Sequence, residues 1–218
     1  MAVQIATGNL PLPFQANFPE LEALIQREKR GMKFEQKYIR GIFAGGTFCY
    51  QAQQILQDEG IGVNSNAPLE GNPQLSDPLG SVEHTLVDMG ADDFTAARPH
   101  PMIDPGLRRQ RILAEAQDPQ VAILLLDFIL GFNSSPDPAG ELAPAIVEAK
   151  DKARRRGGYL SVIASLCGTE EDPQGLEQQV NQLEKAGVVV FPSSARAALF
   201  CARLATKLRE GSYGEQIR

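Results

Sequence analysis

Few of the residues that most often announce a function are present. There are two histidines, His84 and His100, and three cysteines, Cys49, Cys167 and Cys201. Three widely spaced cysteines spell neither a metal motif nor a disulfide framework, so no metal is expected. Free thiols fit a reducing cytoplasm. The longest apolar run, "VAILLL" (121–126), falls far below the roughly 20 residues a spanning helix needs, which argues against a membrane partner. The opening "MAVQIATGNLPLPFQ" has no basic n-region and no apolar h-region, so no secretory signal is expected there. The basic run is Arg154, Arg155 and Arg156, with no aromatic interleaving, and the net charge is −6. That combination argues against nucleic acid as a partner. No dinucleotide-type glycine fingerprint, internal repeat or low-complexity tract is found.

What is present is an ordinary globular composition: 218 residues, 43% hydrophobic and 22% charged. That length suits one α/β domain plus an arm. Residues 1–17 hold Gly8, Pro11 and Pro13 without any period and read as an extended arm. Residues 18–33 place Phe18, Leu21, Leu24 and Ile25 at helical spacing. From residue 38 a rhythm begins. "YIRGIFA" (38–44), "HTLVDMG" (84–90), "VAILLLDF" (121–128), "YLSVIASL" (159–166) and "VVVF" (188–191) read as strands. Helices are expected after the glycines at 45–46, and at 105–116, 141–156, 175–186 and 195–209. The unbroken apolar run at 121–128 suits a strand buried on both faces.

Strands alternating with helices imply right-handed crossovers and a parallel sheet covered on both sides. The expected fold is α/β: a flavodoxin-like, doubly wound, parallel five-stranded sheet in the order 2-1-3-4-5. Residues 1–36 would form the N-terminal arm and helix, 37–210 the domain, and 211–218 a tail. Residues 61–83, rich in Asn, Pro and Gly, read as a surface loop.

In such a sheet, ligands bind outside the carboxyl ends of the strands. The loops expected on that rim are 44–48, 92–104, 130–140, 166–173 and 192–195, and four of them carry candidate residues. "AGGT" holds Gly45, Gly46 and Thr47, where glycines admit a ligand and a helix start offers N–H groups to an anion. A plain βα turn would look the same. "SLCGTEEDPQ" holds Cys167, Gly168, Thr169 and Glu170. Thr169 or Asp172 could simply cap the next helix, and Cys167 could be a nucleophile or an inert thiol. "GFNSSPDPAG" offers Asn133, Ser134 and Ser135 to a substrate, with Asp137 as a helix N-cap. In "RPHPMIDP", Pro99 and Pro101 stiffen the backbone on both sides of His100. Arg98 can pair with an anion, and Asp104 can orient the imidazole or cap the following helix. His100 then handles a phosphate or a proton, or holds the loop together. His84, at a strand start, reads as structural.

"GIFAGGTFCYQA", "DDFTAARPHPMIDPGLRRQRI", "PDPAGELAPAI" and "GTEEDPQ", in this order, resemble the carboxyl-terminal half of the FdrA family, which is similar to succinyl-CoA synthetase. The resemblance covers roughly residues 38–206. It implies a flavodoxin-like ligase domain of an acyl-CoA synthetase-like enzyme. The helix starts after Gly46 and after Gly168 would be its anion sites. It implies as ligand phosphate, or an acyl or carbamoyl phosphate, with CoA entering only through a partner domain. It implies a homo-oligomer, or a partner subunit carrying a CoA-binding or ATP-grasp domain. Carbamoyl transfer of the oxamate carbamoyltransferase kind is an alternative reaction. A non-catalytic assembly module, docking through residues 1–33, is a second alternative. The phosphohistidine loop of the synthetases is missing from these residues. Where relatives are expected to place Gly-small-His before "PDPAG", this chain has Asn133-Ser134-Ser135.

Overall fold

Every apolar stretch becomes a strand and every amphipathic one a helix. The computed structural model describes residues 19–215, with side chains from 21 to 210. The elements are α1 (Pro19–Lys29), β1 (Tyr38–Phe43), α2 (Gly46–Asp58), β2 (Thr85–Asp88), α3 (Asp92–Thr95), α4 (Gly106–Glu115), β3 (Val121–Ile129), α5 (Pro138–Arg155), β4 (Ser161–Cys167), α6 (Leu176–Lys185), β5 (Val189–Phe191) and α7 (Ser194–Glu215). The single turn α3 falls within a stretch that reads as loop. The helix α7 continues past Arg209, into residues expected to form a tail.

All strand pairs are parallel, in the order β2-β1-β3-β4-β5, as the rhythm predicts. The central strand β3 is buried along nearly its whole length because helices cover both faces. On one face Leu124, Leu126 and Phe128 meet Ile112, Leu142 and Ile146 of α4 and α5. On the other, Ile123 and Leu125 meet Ile25, Leu56 and Phe200 of α1, α2 and α7. Each such side chain contributes roughly 1.5–3 kcal/mol by leaving water.

The apolar face of α1 is used inside the molecule. Ile25 lies in the core, Glu28 accepts from Tyr159 Oη and Ser161 Oγ, and Lys29 Nζ donates to Lys207 O. Among the described residues, that face packs against the domain. The arm expected at 1–17 lies outside the described residues.

The stretch 61–83 has no helix or strand, as expected of a loop, but it is anchored in the core. Ile61, Val63 and Leu75 are buried in the core. Asn64 N–H donates to His84 O and Leu86 N–H to Asn64 O, so the segment lies along the open edge of β2. An unpaired sheet edge favours such cover. Its far end is tied down by Arg111 of α4, which donates to Pro78 O, Gly80 O and Ser81 Oγ.

Candidate active site

With all strands parallel, their carboxyl ends share one rim, and the strand order turns at β1 and β3. Beneath that point lies a buried ion pair that no sequence motif announced. Asp127, fully buried near the end of β3, accepts from Ala44 N–H at 2.9 Å and from Arg108 Nη2 at 2.8 Å. The same Nη2 reaches Ile42 O at 3.0 Å and Asp127 O at 2.6 Å. One guanidinium thus ties the ends of β1 and β3 together, and the carboxylate fixes the turn into α2. Burial pushes the Asp127 carboxyl up, and the Arg108 charge opposes that rise. Arg108 Nε and Asp127 Oδ2 have no hydrogen-bond partner among the described residues.

Above the pair is the Ala44–Gly45–Gly46 turn. Gly45 is the N-cap of α2, in extended backbone, and among the described residues no side-chain hydrogen bond caps this helix start. Its leading N–H groups are therefore available to an acceptor. Thr47 is exposed in the first turn. Asp88, the last residue of β2, faces this turn: a Cβ on Gly46 would lie 3.1 Å from Asp88 Oδ2. Asp88 Oδ1 accepts from Gly90 N–H at 2.8 Å. Burial pushes its carboxyl up, while the Gly90 N–H and the His100 charge pull it down.

His100 completes the group. Its Nδ1 accepts from Met102 N–H at 3.3 Å, so in the neutral ring the proton sits on Nε2. That Nε2 faces Gly90, where an added Cβ would come within 2.8 Å of both His100 Nε2 and Ala44 O. Gly90 is thus a contact point of three rim segments. The prolines leave His100 displayed, and its own carbonyl closes the loop by accepting from Ile103 and Asp104 N–H.

The other sequence candidates fall into two groups. Arg98 is exposed on the His100 loop, its N–H bound to Thr95 O. Asp104 does not orient the imidazole: its Oδ1 accepts from Gly106 N–H at the start of α4, and Met102 N–H does the orienting. The Gly168–Thr169 stretch is not a helix start, because α6 begins only at Leu176. Thr169 N–H is already taken by Asp172 Oδ2 at 2.7 Å. Glu170 caps α6 by accepting from Glu177 N–H. Gly168 is there for packing, since a Cβ would lie 2.7 Å from the Leu130 side chain. Cys167 is exposed at the end of β4.

In the loop after β3, Asn133 is exposed and Ser134 half-buried. Ser135 is buried and spent on structure: its N–H donates to Met102 O and its Oγ to Glu141 Oε1. The Met102 carbonyl thereby anchors the loop that carries His100. Gln174 donates to Gly131 O and Ser135 O, stitching this loop to the one after β4. Asp137 is the N-cap of α5, accepting from Gly140 N–H and Gln179 Nε2.

His84 lies at the opposite end of the sheet, beside a cavity of about 670 Å³ lined by Phe34, Tyr38 and Gln120. It accepts from Ile39 N–H, and burial, aided by the Arg40, Arg209 and Lys37 charges, holds its imidazole down to about 4. Among the described residues no group of His, Cys, Asp and Glu is placed to hold a metal, and no helix is long and apolar enough to cross a membrane.

Residues 42–204 match the model of the CoA-ligase family. The uncharacterized protein YahF of Escherichia coli (strain K12) is 40% identical over 189 residues, covering 87% of this chain and 37% of YahF. Among solved structures, the dinucleotide forming acetyl-coenzyme A synthetase 1 of Ca. Korarchaeum cryptofilum superposes on 92% of this chain and 40% of its own, with a TM-score of 0.54 at 16% identity. PH0766 from Pyrococcus horikoshii OT3 superposes on 95% of this chain and 43% of its own, with a TM-score of 0.50 at 15% identity. The chain spans about two-fifths of the length of these relatives. At such identities the two structures speak for the shared α/β fold, and it is the match over 42–204 that places this sequence: the chain belongs to the CoA-ligase family.

Proposed function

We propose that this chain is a ligase-type domain of an acyl-CoA synthetase-like enzyme of the FdrA kind, and that it binds a phosphoryl or acyl-phosphate group at the head of α2. The observation that carries the reading is the direction of His100. Its Nε2, holding the proton, faces Gly90 and the Ala44–Gly45 turn, where the helix start has no side-chain cap. Helix N–H groups and an imidazole N–H converging on a glycine turn suit a compact anion. In this reading His100 donates to a phosphoryl oxygen and can pass its proton to a leaving oxygen, while Arg98 adds positive charge from the same loop. Thr169 has no direct part, because its N–H and its hydroxyl are bound to Asp172, while Asp104 serves the start of α4 through Oδ1. CoA and any nucleotide are met by other domains or subunits, in keeping with relatives much longer than this chain. A cytoplasmic setting, with Cys167 as a free thiol, belongs to the same reading.

The test is calorimetric titration of the purified chain with acetyl phosphate and with carbamoyl phosphate, in phosphate-free buffer. Either ligand should bind, and His100→Ala should weaken it about tenfold to hundredfold, the worth of one hydrogen bond to a charged group. Failure of both to bind, or an unchanged affinity in His100→Ala, defeats the reading. Binding of carbamoyl phosphate alone would turn it to carbamoyl transfer.

A further inference from the structure

The rim contains an acceptor where a simple anion cradle would present only donors. Asp88 is 7% exposed, yet among the described residues no donor is bonded to its Oδ2, while Oδ1 is held by Gly90 N–H. Its backbone is clamped on both sides by one side chain. Asp88 N–H donates to Asn66 Oδ1 at 2.9 Å, and Asn66 Nδ2 donates to Asp88 O at 2.9 Å. Asn66 belongs to the stretch along the β2 edge and is itself buried, with its carbonyl bound to Gln74 Nε2. The carboxylate is therefore held in place by a dedicated segment, and it is not free to swing away from an incoming anion. Gly46 leaves open the space beside Oδ2, since a Cβ there would sit 3.1 Å from it. Across Gly90 stands the His100 Nε2–H donor. The hydrogen bonds of Asp88 and His100 go to Gly90 and Met102, not to each other.

A fixed carboxylate oxygen among donors repels a fully deprotonated anion and costs free energy unless a donor meets it. A ligand oxygen that keeps a proton supplies that donor. We propose that Asp88 is a further ligand-contacting residue, which accepts the P–OH proton of the bound group while His100 and the head of α2 donate to its other oxygens. The site would then take a phosphoryl group that keeps one proton, inorganic phosphate as the hydrogen phosphate dianion and an acyl phosphate as its monoanion, and reject sulfate, which carries none. This rests on the rim being the phosphoryl site. Asp88 must be ionised to act as acceptor, and burial delays that ionisation. The charged groups around it are His100, and Asp127 with its partner Arg108.

Inorganic phosphate keeps one proton near neutral pH and sulfate keeps none, so the pair is a direct probe. Both are titrated calorimetrically into the wild-type chain slightly above neutrality, and into Asp88→Asn. Asparagine can still accept from Gly90 N–H, and its amide donates where Oδ2 accepted. Wild type should favour phosphate over sulfate on the order of a hundredfold, the cost of leaving a desolvated carboxylate without a donor. Asp88→Asn should bind the two anions alike. Equal binding of both by wild type overturns the role of Asp88 and leaves the phosphoryl site standing. Binding of neither by either protein overturns the phosphoryl site, and the role of Asp88 with it. The wild-type comparison alone decides the matter if Asp88→Asn does not fold.

Discussion

Arg108→Met removes the guanidinium that closes the switch point while keeping much of its apolar stem. Asp127 is then a fully buried carboxylate whose remaining donor is Ala44 N–H. Removing one partner of a buried pair costs about 3–5 kcal/mol. In a domain of this size each kcal/mol moves the melting temperature about 2–4 °C, so a fall of roughly 6–20 °C is expected. The loss should depend on pH. Burial already raises the Asp127 carboxyl against the pull of Arg108, and without Arg108 it rises further. A carboxyl raised on folding binds a proton in the folded chain where the unfolded chain has released it. Stability therefore falls as pH climbs from the ordinary aspartate value toward the raised one. The deficit should be smaller near about pH 5 than near about pH 8. Arg108→Met combined with Asp127→Asn removes the charge and keeps an acceptor for Ala44, so it should recover most of the loss. Urea unfolding of the single and double variants at both pH values measures this. A single-variant loss under about 1 kcal/mol, or a double variant as weak as the sum of its parts, would refute the claim that paired charge holds the switch point.

Two further outcomes test other parts of the molecule. Gly90→Ala places a methyl group within 2.8 Å of Ala44 O and His100 Nε2, and within 3.1 Å of Gly45 Cα. It should cost about 1–3 kcal/mol in urea unfolding and weaken phosphate binding, because the rim must spread; wild-type behaviour in both assays would mean that the three segments do not meet there. His84 is held neutral, with its imidazole lowered to about 4, so wild-type stability should decline as pH drops from about 6.5 toward that value. His84→Gln should flatten that acid limb of the stability profile, and an unchanged limb would assign it to other groups.

The fold was legible because its signals are local and repeat. Five apolar runs of strand length alternate with amphipathic runs, and the right-handed crossover rule leaves few ways to order them. The stretch 61–83 is a loop, as its composition implies, but its buried anchors do not show in the sequence. Its apolar residues Ile61, Val63 and Leu75 are scattered among Asn, Pro and Gly, so no period shows. What buries them is the open edge of β2, a distant feature that composition does not report. The continuation of α7 past Arg209 and the single turn α3 are matters of where an element stops, which local pattern resolves least well.

The candidate site divides along the same line. His100 stood out because two prolines flank it, a signal written in neighbouring residues. Gly45 and Gly46 are visible in the sequence because a glycine pair between an apolar run and an amphipathic one is a local signal. Asp88, Asp127, Arg108 and Asn66 did not, since each draws its meaning from a residue far along the chain. Asp127 sits inside "VAILLLDF", a run that reads as an apolar strand. Yet a carboxylate in a strand buried on both faces must find a partner, or its burial would cost several kcal/mol. That requirement alone points to a cation elsewhere, and the basic stretch "LRRQR" (107–111) in the helix that precedes β3 is a near source. Asp88 closing "HTLVD" carries the weaker form of the signal, because a strand end can also face water. In a parallel sheet, then, an acidic residue at the carboxyl end of an apolar strand points to the rim more firmly than a glycine pair does. The glycines say only that something can approach, whereas the buried carboxylate requires that something answer it.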